Sequence, residues 1–233
     1  MSPKQQRGEA TVELILSSAL RVYAAEGQQG FTVSAVTAAS KVSLGSLYHH
    51  FGSFDGLAAA LYIRCMERLF DEMIVALQRS RTARTGVRAL VRAYLRFTEE
   101  NRDAALFLHA SAYSGYLAAR AEEIKAAKAA KLAVIGAWMQ PRMERGEILP
   151  VPGPLVEVLV MGPVAEAARR WLSDTYELDL GEVARILPES IWRSLRPEPS
   201  ERPESSERPG PCDATGAGGV AGGGGVRRTN GGT

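Results

Sequence analysis

A run of small, hydroxyl-bearing and aromatic residues near the N-terminus has the chemistry needed to contact DNA. It is the segment 32–51, TVSAVTAASKVSLGSLYHHF. Two short helical patterns flank a tight turn, and the second one begins with small residues and continues with tyrosine and histidine. Small side chains let a helix approach the major groove closely, and ring donors can hydrogen-bond phosphates. The segment therefore predicts a helix-turn-helix that binds double-stranded DNA.

The two helices of this pair have recognisable N-terminal caps. Thr32 can cap the first helix, and Ser43 can cap a second helix that runs to about residue 50. Two turns are too few to be stable alone in water, so neighbouring elements must hold the second helix. Val36 and Ala39 fall on one face of the first helix, and the expected inward anchors of the second are Leu47 and Phe51, joined by Val42 from the turn.

The charge of this region is too small for a protein that coats DNA. Through residue 53 there are four basic and three acidic residues, which gives a net charge of +1. Non-specific binding depends on neutralising phosphates. Sequence-specific binding remains feasible when the two DNA-binding domains of a dimer bind together. The charge thus favours a sequence-specific dimer over an architectural DNA-binding protein.

The length and composition of the chain indicate the size of its core and exclude several classes of protein. At 233 residues with 45% hydrophobic content and a net charge of +2, the chain can form a sizeable core and shows no bias towards membrane surfaces. It lacks an apolar signal core and any run of the ~18 apolar residues that a spanning helix needs. Cys65 and Cys212 lie in very different contexts, so a structural disulfide is not expected. We predict a cytoplasmic protein without a membrane partner.

From Ser53 to Leu195 the apolar residues recur at helical spacing, and no segment alternates as a strand would. The predicted helices include a long fourth one that Ser53 caps, a long seventh one over residues 116–145, and a last one capped at Asp179. The domains expected are therefore a DNA-binding domain at 1–53, a larger helical domain at 54–195 and a tail at 196–233. The tail is rich in proline and glycine and is predicted to be disordered.

Aromatic, histidine and methionine residues of the helical body allow two interpretations. They line a pocket for a small, largely apolar effector, or they simply fill the core. At any single position the core is favoured, given the burial habits of such residues. The residues in question are Phe97, Phe107, His109, Tyr113, Trp138, Met139 and Met161.

Three segments of the chain resemble the N-terminal domain of TetR-family transcriptional repressors. They are ILSSALRVYAAEG at Ile15–Gly27, FTV at Phe31–Val33 and VSLGSLYHHFGS at Val42–Ser53. The resemblance implies an all-α fold: a three-helix DNA-binding domain with the helix-turn-helix, followed by a larger helical domain for ligand binding and dimerisation. It also implies which residues face DNA, with Lys4 and Arg7 in an N-terminal arm. The others are Thr32, Ser43, Leu44, Gly45, Ser46, Tyr48 and His49.

The same resemblance implies a homodimer and an inducer pocket within the helical body, which favours the pocket interpretation for the set of residues above. The stretch AARRWL at 167–172 resembles the eighth helix of the family, which pairs with the last helix of a second subunit. The expected function is a repressor that a small effector releases from a palindromic operator. The expected interface residues are Trp171, Leu172, Ile186, Ile191 and Trp192.

Three positions depart from the family pattern. Lys41 stands where a glycine often ends the second helix in a left-handed turn, and Leu44 stands where Lys or Arg often reads DNA. Phe54 replaces a lysine that usually contacts phosphate. A leucine offers a thymine methyl an apolar contact but no hydrogen bond. We therefore expect modest DNA affinity from each monomer.

Two other classes of function were weighed. An enzyme could use His109 with Glu166 or Glu157 as an acid–base pair, but no nucleophile elbow, phosphate loop or metal-ligand set accompanies them. A redox sensor could use Cys65, although its apolar neighbours favour an inert, buried thiol. The sequence predicts no enzymatic activity, no cofactor and no metal site.

Overall fold

Helices account for all the regular structure in the computed structural model, which describes residues 3–111, 114–173 and 177–197. No strand occurs among these residues, and the all-α prediction is confirmed. The helices are α1 (Pro3–Gly30), α2 (Val33–Ser40), α3 (Leu44–Phe51), α4 (Phe54–Gln78), α5 (Ala83–Glu100), α6 (Arg102–Ser111), α7 (Gly115–Ala118), α8 (Ala121–Glu144), α9 (Gly153–Leu172) and α10 (Leu180–Leu195).

The helix-turn-helix forms as the sequence predicts. Thr32 Oγ1 accepts a hydrogen bond from Ala35 N at 3.2 Å, and Ser43 Oγ accepts one from Ser46 N at 3.2 Å. These bonds satisfy N–H groups that the first turn of each helix leaves without a helical partner. Leu47 is fully buried, and neighbouring elements hold the short α3 through it.

The face of α2 that Val36 and Ala39 share is buried only in part. Val36 is fully buried as expected, but Ala39 is exposed and Ser40 is buried in its place. The Ser40 hydroxyl accepts a hydrogen bond from Val42 N at 3.4 Å, within the turn. A serine can therefore occupy an inward position here because the turn itself supplies its polar partner.

The turn between α2 and α3 needs a left-handed residue, as the family resemblance implied. Lys41 has φ 56° and ψ 25°, and it is the non-glycine residue with positive φ in the described part of the chain. This conformation costs a residue with a Cβ about 1–2 kcal/mol. The turn is thus built with a residue that does not favour it.

The remaining helices pack around α4 and α5. Helix α4 lies along α5 and α8, while α5 also contacts α9 and α10. Helix α1 packs against α6 and α4, so the N-terminal helices share a core with the body. Residues 1–197 form one compact unit.

The single helix predicted over 116–145 is wrong. The structure has a four-residue α7 and a separate α8, because Arg120 leaves the helical region with φ −124° and ψ 23°. No proline or glycine lies at the break, so local propensity does not explain it. Tyr116 of α7 instead packs against Phe31, in the loop before α2, and against Phe54 of α4, and this tertiary packing overrides propensity.

None of the helices in the described part of the chain is long and apolar enough to cross a membrane. The tail from residue 198 onward lies outside the described residues.

Candidate DNA interface and interior cavities

The exposed face of α3 carries the residues that were expected to meet DNA. Leu44 is 52% exposed and Tyr48 is 42% exposed, and the two lie four residues apart on the same face. Gly45 is exposed between them, and a Cβ added there would meet no atom within 4 Å. His49 is also exposed, whereas Ser46 is half-buried. The face is therefore open, with one apolar and two ring-bearing side chains.

The two capping hydroxyls lie at the N-terminal ends of α2 and α3. Thr32 and Ser43 are both exposed. Each oxygen accepts a hydrogen bond from its own helix, and a hydroxyl that accepts one bond can still donate its proton. Both residues can thus cap a helix and donate to a phosphate at the same time.

Lys4 and Arg7 do not form an extended arm, because α1 begins at Pro3 and includes both of them. Arg7 is exposed, and the side chain of Lys4 lies outside the described residues. A Cβ added to Gly8 would lie 4.0 Å from Cε1 of His50, so the first turns of α1 run beside the end of α3. Helix geometry, rather than a flexible arm, sets where these basic residues lie.

Phe54 has a structural role that explains its departure from the family lysine. Its ring centroid lies 5.1 Å from that of Phe31 and 5.9 Å from that of Tyr116. Phe31 also contacts Tyr23 and Phe107, at 5.5 and 5.8 Å. We call these five residues the aromatic cluster. It joins α1 and the loop before α2 to α4, α6 and α7, so the side chain of Phe54 is used for packing.

A cavity of about 410 Å³ lies between α4, α5, α8 and α9, and we call it the apolar cavity. Its volume is within the range of small-molecule sites. Gln140 and Glu157 are the polar side chains among its lining residues. Three residues of the predicted pocket line it: Trp138, Met139 and Met161.

The Trp138 ring is held against the backbone of α5. A Cβ added to Gly86 would lie 2.1 Å from Cη2 of that ring, so only glycine fits there. On α8 itself, the Arg142 guanidinium carbon lies 3.5 Å from the ring centroid, and Arg142 Nη1 donates to Trp138 O at 2.7 Å. The ring that walls the apolar cavity is therefore fixed by a glycine and by a cation–π contact.

A second cavity of about 510 Å³ adjoins the first, and we call it the polar cavity. Glu157 and Met161 of α9 line both cavities. The other polar residues of its lining are Tyr62, Tyr94, His109, Lys128, Glu166 and Arg169.

Burial controls the protonation of the groups that face the polar cavity. Tyr94 Oη and His109 Nε2 are 3.1 Å apart. Burial, followed by the charge of Arg169, lowers the pKa of His109 to about 4. Burial also raises the pKa of Tyr94. Hydrogen bonds from Arg169 and Arg170 lower the pKa of Glu166 to about 2. At neutral pH the pair of rings is uncharged and Glu166 is ionised.

The structure does not bring all the predicted pocket residues together. His109 lines the polar cavity, but Phe97 and Phe107 are fully buried and line neither cavity. Phe107 belongs to the aromatic cluster instead, and Tyr113 lies outside the described residues. Sequence reasoning missed the start of α9, where Val156 and Val160 line the apolar cavity. The available signal was the apolar run from Leu155 to Met161, which Glu157 alone interrupts.

The residues of the two alternative functions have other partners. His109, Glu157 and Glu166 line the same cavity, but Lys128 binds Glu157, and two arginines bind Glu166. Burial raises the pKa of the Cys65 thiol to about 11, so it is protonated at neutral pH. Within the described residues, no group of His, Cys, Asp and Glu could hold a metal ion.

The residues expected at a dimer interface divide into two groups. Leu172 and Ile191 are buried in the core of the chain itself, whereas Ile186 is 53% exposed. Trp171 and Trp192 are half-buried. The structure adds two exposed apolar residues of α9 that the sequence did not single out, Leu155 and Val158. Three exposed apolar side chains therefore lie on α9 and α10, those of Leu155, Val158 and Ile186.

Residues 15–61 match the sequence model of bacterial regulatory proteins of the tetR family. The match covers most of α1, the helix-turn-helix and the first turns of α4. A curated relative, the uncharacterized HTH-type transcriptional regulator YobS of Bacillus subtilis (strain 168), is 29% identical over 91 residues, which are 39% of this chain and 47% of that protein. The chain thus spans about half the length of the curated relative it matches.

Solved structures resemble the chain over most of its length. A TetR family transcription regulator from Marinobacter aquaeolei VT8 has a TM-score of 0.68 at 20% identity, with 82% of this chain and 98% of that chain covered. The transcriptional regulator FadR from Bacillus subtilis, in complex with stearoyl-CoA, has a TM-score of 0.67 at 17% identity, with 77% and 96% covered. At these identities the likeness establishes the fold.

Proposed function

We propose that this chain, with a segment that matches the DNA-binding domain of the TetR family and with a fold like that of its members, is a transcriptional regulator: a homodimeric repressor that a small, largely apolar effector releases from a palindromic operator. The observation that carries the proposal is the open face of α3, where Leu44, Gly45 and Tyr48 are exposed at the end of a capped helix-turn-helix.

DNA recognition would divide between two kinds of contact. Thr32 and Tyr48 would bond phosphates and set the position of α3, while Ser43, Leu44 and Ser46 would meet base edges in the major groove. With a net charge of +1 through residue 53, few phosphates would be neutralised per head. We therefore expect a shallow dependence of affinity on salt.

A gel-shift series tests the DNA interface after an operator is selected from a random DNA pool. We expect Tyr48→Ala to weaken binding to every sequence, because a phosphate contact carries no base information. Changes at Leu44 or Ser46 should alter sequence preference instead. Leu14→Ala is the matched control, since Leu14 is an exposed side chain of the same domain on α1. Operator binding by Tyr48→Ala as tight as that of the parent would contradict the role of this ring.

Dimerisation would use the exposed apolar side chains of α9 and α10. Three exposed apolar side chains, Leu155, Val158 and Ile186, support an interface there. Two heads on such a dimer would meet half-sites about 34–36 Å apart. Val158→Glu should shift the sedimentation coefficient to that of a monomer and abolish operator binding, whereas Val75→Glu on an exposed site of α4 should leave the dimer intact. A dimeric Val158→Glu protein would place the interface elsewhere.

The effector would occupy the apolar cavity. Its volume of about 410 Å³ and its lining support this role, and the similar FadR structure contains stearoyl-CoA, a ligand with an apolar chain. A thermal-shift screen of apolar compounds tests the idea. An effector should raise the melting temperature and lower DNA affinity, because it binds one of two conformations more tightly. A screen in which no compound does both would favour a regulator without an effector.

A further inference from the structure

The two cavities adjoin along α9. Val156 lines the apolar cavity and Glu166 lines the polar cavity, while Glu157 and Met161 line both. At a rise of about 1.5 Å per residue, Val156 and Glu166 lie about 15 Å apart along the helix axis. One elongated ligand that lies beside α9 would therefore occupy both cavities.

The charged side chains that line the polar cavity are paired with one another. Lys128 Nζ donates to the Glu157 carboxylate, and Arg169 Nη2 donates to Glu166 Oε1 at 2.8 Å. Two cationic side chains therefore face two anionic ones in this lining. A charged ligand would have to leave water and compete for a counter-ion that is already paired, and taking a charge out of water is costly. The lining thus favours a ligand without a charge.

Tyr94 and His109, which we call the ring pair, have one hydrogen-bond donor more than their mutual bond uses. Tyr94 Oη and His109 Nε2 are 3.1 Å apart, and both residues line the polar cavity. If Tyr94 donates to Nε2, the imidazole proton is on Nδ1; if Nε2 donates to Tyr94, the phenol proton is left over. No second hydrogen bond of either side chain occurs within the described part of the chain. With either tautomer, one N–H or O–H of the ring pair is therefore available to a ligand.

The ring pair calls for an uncharged acceptor on the ligand. Burial lowers the pKa of His109 to about 4 and raises the pKa of Tyr94, so neither ring is charged at neutral pH. A donor that loses its water and meets no acceptor is unfavourable. An apolar ligand would leave the spare donor in that condition, whereas a carbonyl oxygen would accept its hydrogen bond.

We propose that the effector is an uncharged, elongated carbonyl compound, whose apolar body fills the apolar cavity and whose carbonyl oxygen accepts the spare hydrogen bond of the ring pair. Ketones, esters and amides share this chemistry. The inference rests on the proposed function, because it names the chemical class of the effector in that same site. It assigns Tyr94 and His109 as the residues that bind the polar end of the ligand.

Two matched sets of compounds test the inference by equilibrium dialysis against the full chain. The ketones are methyl nonyl ketone and acetylbiphenyl, which present a chain and a ring body. In each set an isopropyl group replaces the acetyl group to remove the acceptor, and a carboxylate replaces it to add a charge. The parent protein should bind at least one ketone about tenfold or more tightly than its carboxylate, because the charge of the acid must leave water.

A double variant tests the ring pair itself. Tyr94→Phe and His109→Leu are combined, because either ring alone could still donate, and because removing both partners of a hydrogen bond leaves neither unsatisfied. Binding of the ketone should weaken about fivefold, as expected for the loss of one neutral hydrogen bond, while the isopropyl compound should bind as tightly as before. Tyr116→Phe is the control, since the Tyr116 hydroxyl donates to Ser111 and lines neither cavity. It should bind the ketone like the parent.

The outcomes separate this inference from the broader proposal. A double variant that binds the ketone as tightly as the parent contradicts the inference, as does an equal loss of affinity for the ketone and its isopropyl analogue. A carboxylate that binds the parent more tightly than its ketone also contradicts it, and this comparison needs no variant. If neither ketone binds, the inference is wrong, and the compound screen described above decides whether any apolar effector exists.

Discussion

Gly86 on α5 determines where the Trp138 ring can lie, and replacing it tests how the apolar cavity is built. An alanine Cβ at this position would lie 2.1 Å from Cη2 and 2.5 Å from Cζ2 of the ring. Carbon atoms need roughly 3.5–4.0 Å, so the ring would have to move by more than an ångström. The Arg142 guanidinium stacks on the ring, so a shift of the ring must also displace or break this contact. We expect Gly86→Ala to displace Trp138 and to weaken effector binding.

The sign of the stability change follows from two opposed effects. Replacing glycine by alanine inside a helix stabilises by about 1 kcal/mol. Forcing extra atoms into packed space costs about 1–3 kcal/mol. Because Trp138 is half-buried and can yield in part, we expect a net destabilisation of about 1 kcal/mol. For a chain of this length that lowers the melting temperature by about 2–4 °C.

Gly136→Ala supplies the matched control. Gly136 lies inside α8 and lines the same cavity, but an added Cβ there meets no atom within 4 Å. This variant should gain the helix-propensity benefit of about 1 kcal/mol. Urea unfolding of both variants at one protein concentration gives the comparison, since a dimer's stability depends on concentration. Equal stabilisation of both variants would show that Gly86 does not hold the ring.

Three other predictions concern stability and reactivity. Burial and Arg169 lower the pKa of His109 from 6.5 to about 4, so the contribution of the neutral ring to stability is present above pH 6.5 and is lost as the pH falls towards 4. Between pH 7 and 4.5 the free energy of unfolding of the parent, measured in urea, should fall by about 2 kcal/mol more than that of His109→Gln. An equal pH dependence of the two proteins would contradict this. In a Cys212→Ser background the buried Cys65 should react with dithionitrobenzoate only as fast as the protein unfolds, whereas rapid labelling of native protein would restore the redox alternative. Lys41→Gly should stabilise the protein by about 0.5–1 kcal/mol in the same unfolding assay, because glycine accepts the left-handed conformation; a loss of stability would contradict this.

The N-terminal domain could be predicted closely from the sequence because its signals are local. Thr32 and Ser43 are helix-capping residues that mark where α2 and α3 begin, and Leu47, predicted to point inward, is the buried residue of α3. The burial of Ser40 and the exposure of Ala39 have a physical cause. An apolar pattern predicts that a serine is exposed, because burying its hydroxyl is unfavourable without a hydrogen-bond partner. Here the partner is the backbone N–H of Val42 in the turn, which the sequence does not show.

The cavities could be predicted only in part, since they depend on contacts between distant segments. Trp138 and Met139 were identified because large apolar side chains on a long helix are good candidates. Phe107 was assigned to the pocket on the same grounds, yet it packs 4.7 Å from Tyr23 of α1. The spacing of residues along the chain does not show that Phe107 contacts Tyr23. The helix break at Arg120, which lets Tyr116 reach the aromatic cluster, is also not signalled, since no proline or glycine lies there.

The aromatic cluster has a consequence for protein engineering. A chimera that takes only the predicted DNA-binding domain from this chain would have its junction near Ser53. Such a cut separates Tyr23 and Phe31 from Phe54, Phe107 and Tyr116, whose rings lie 4.7–6.2 Å apart across it. A transplanted head would bring foreign side chains to these three rings. A working chimera therefore has to carry the matching aromatic residues of the body along with the head.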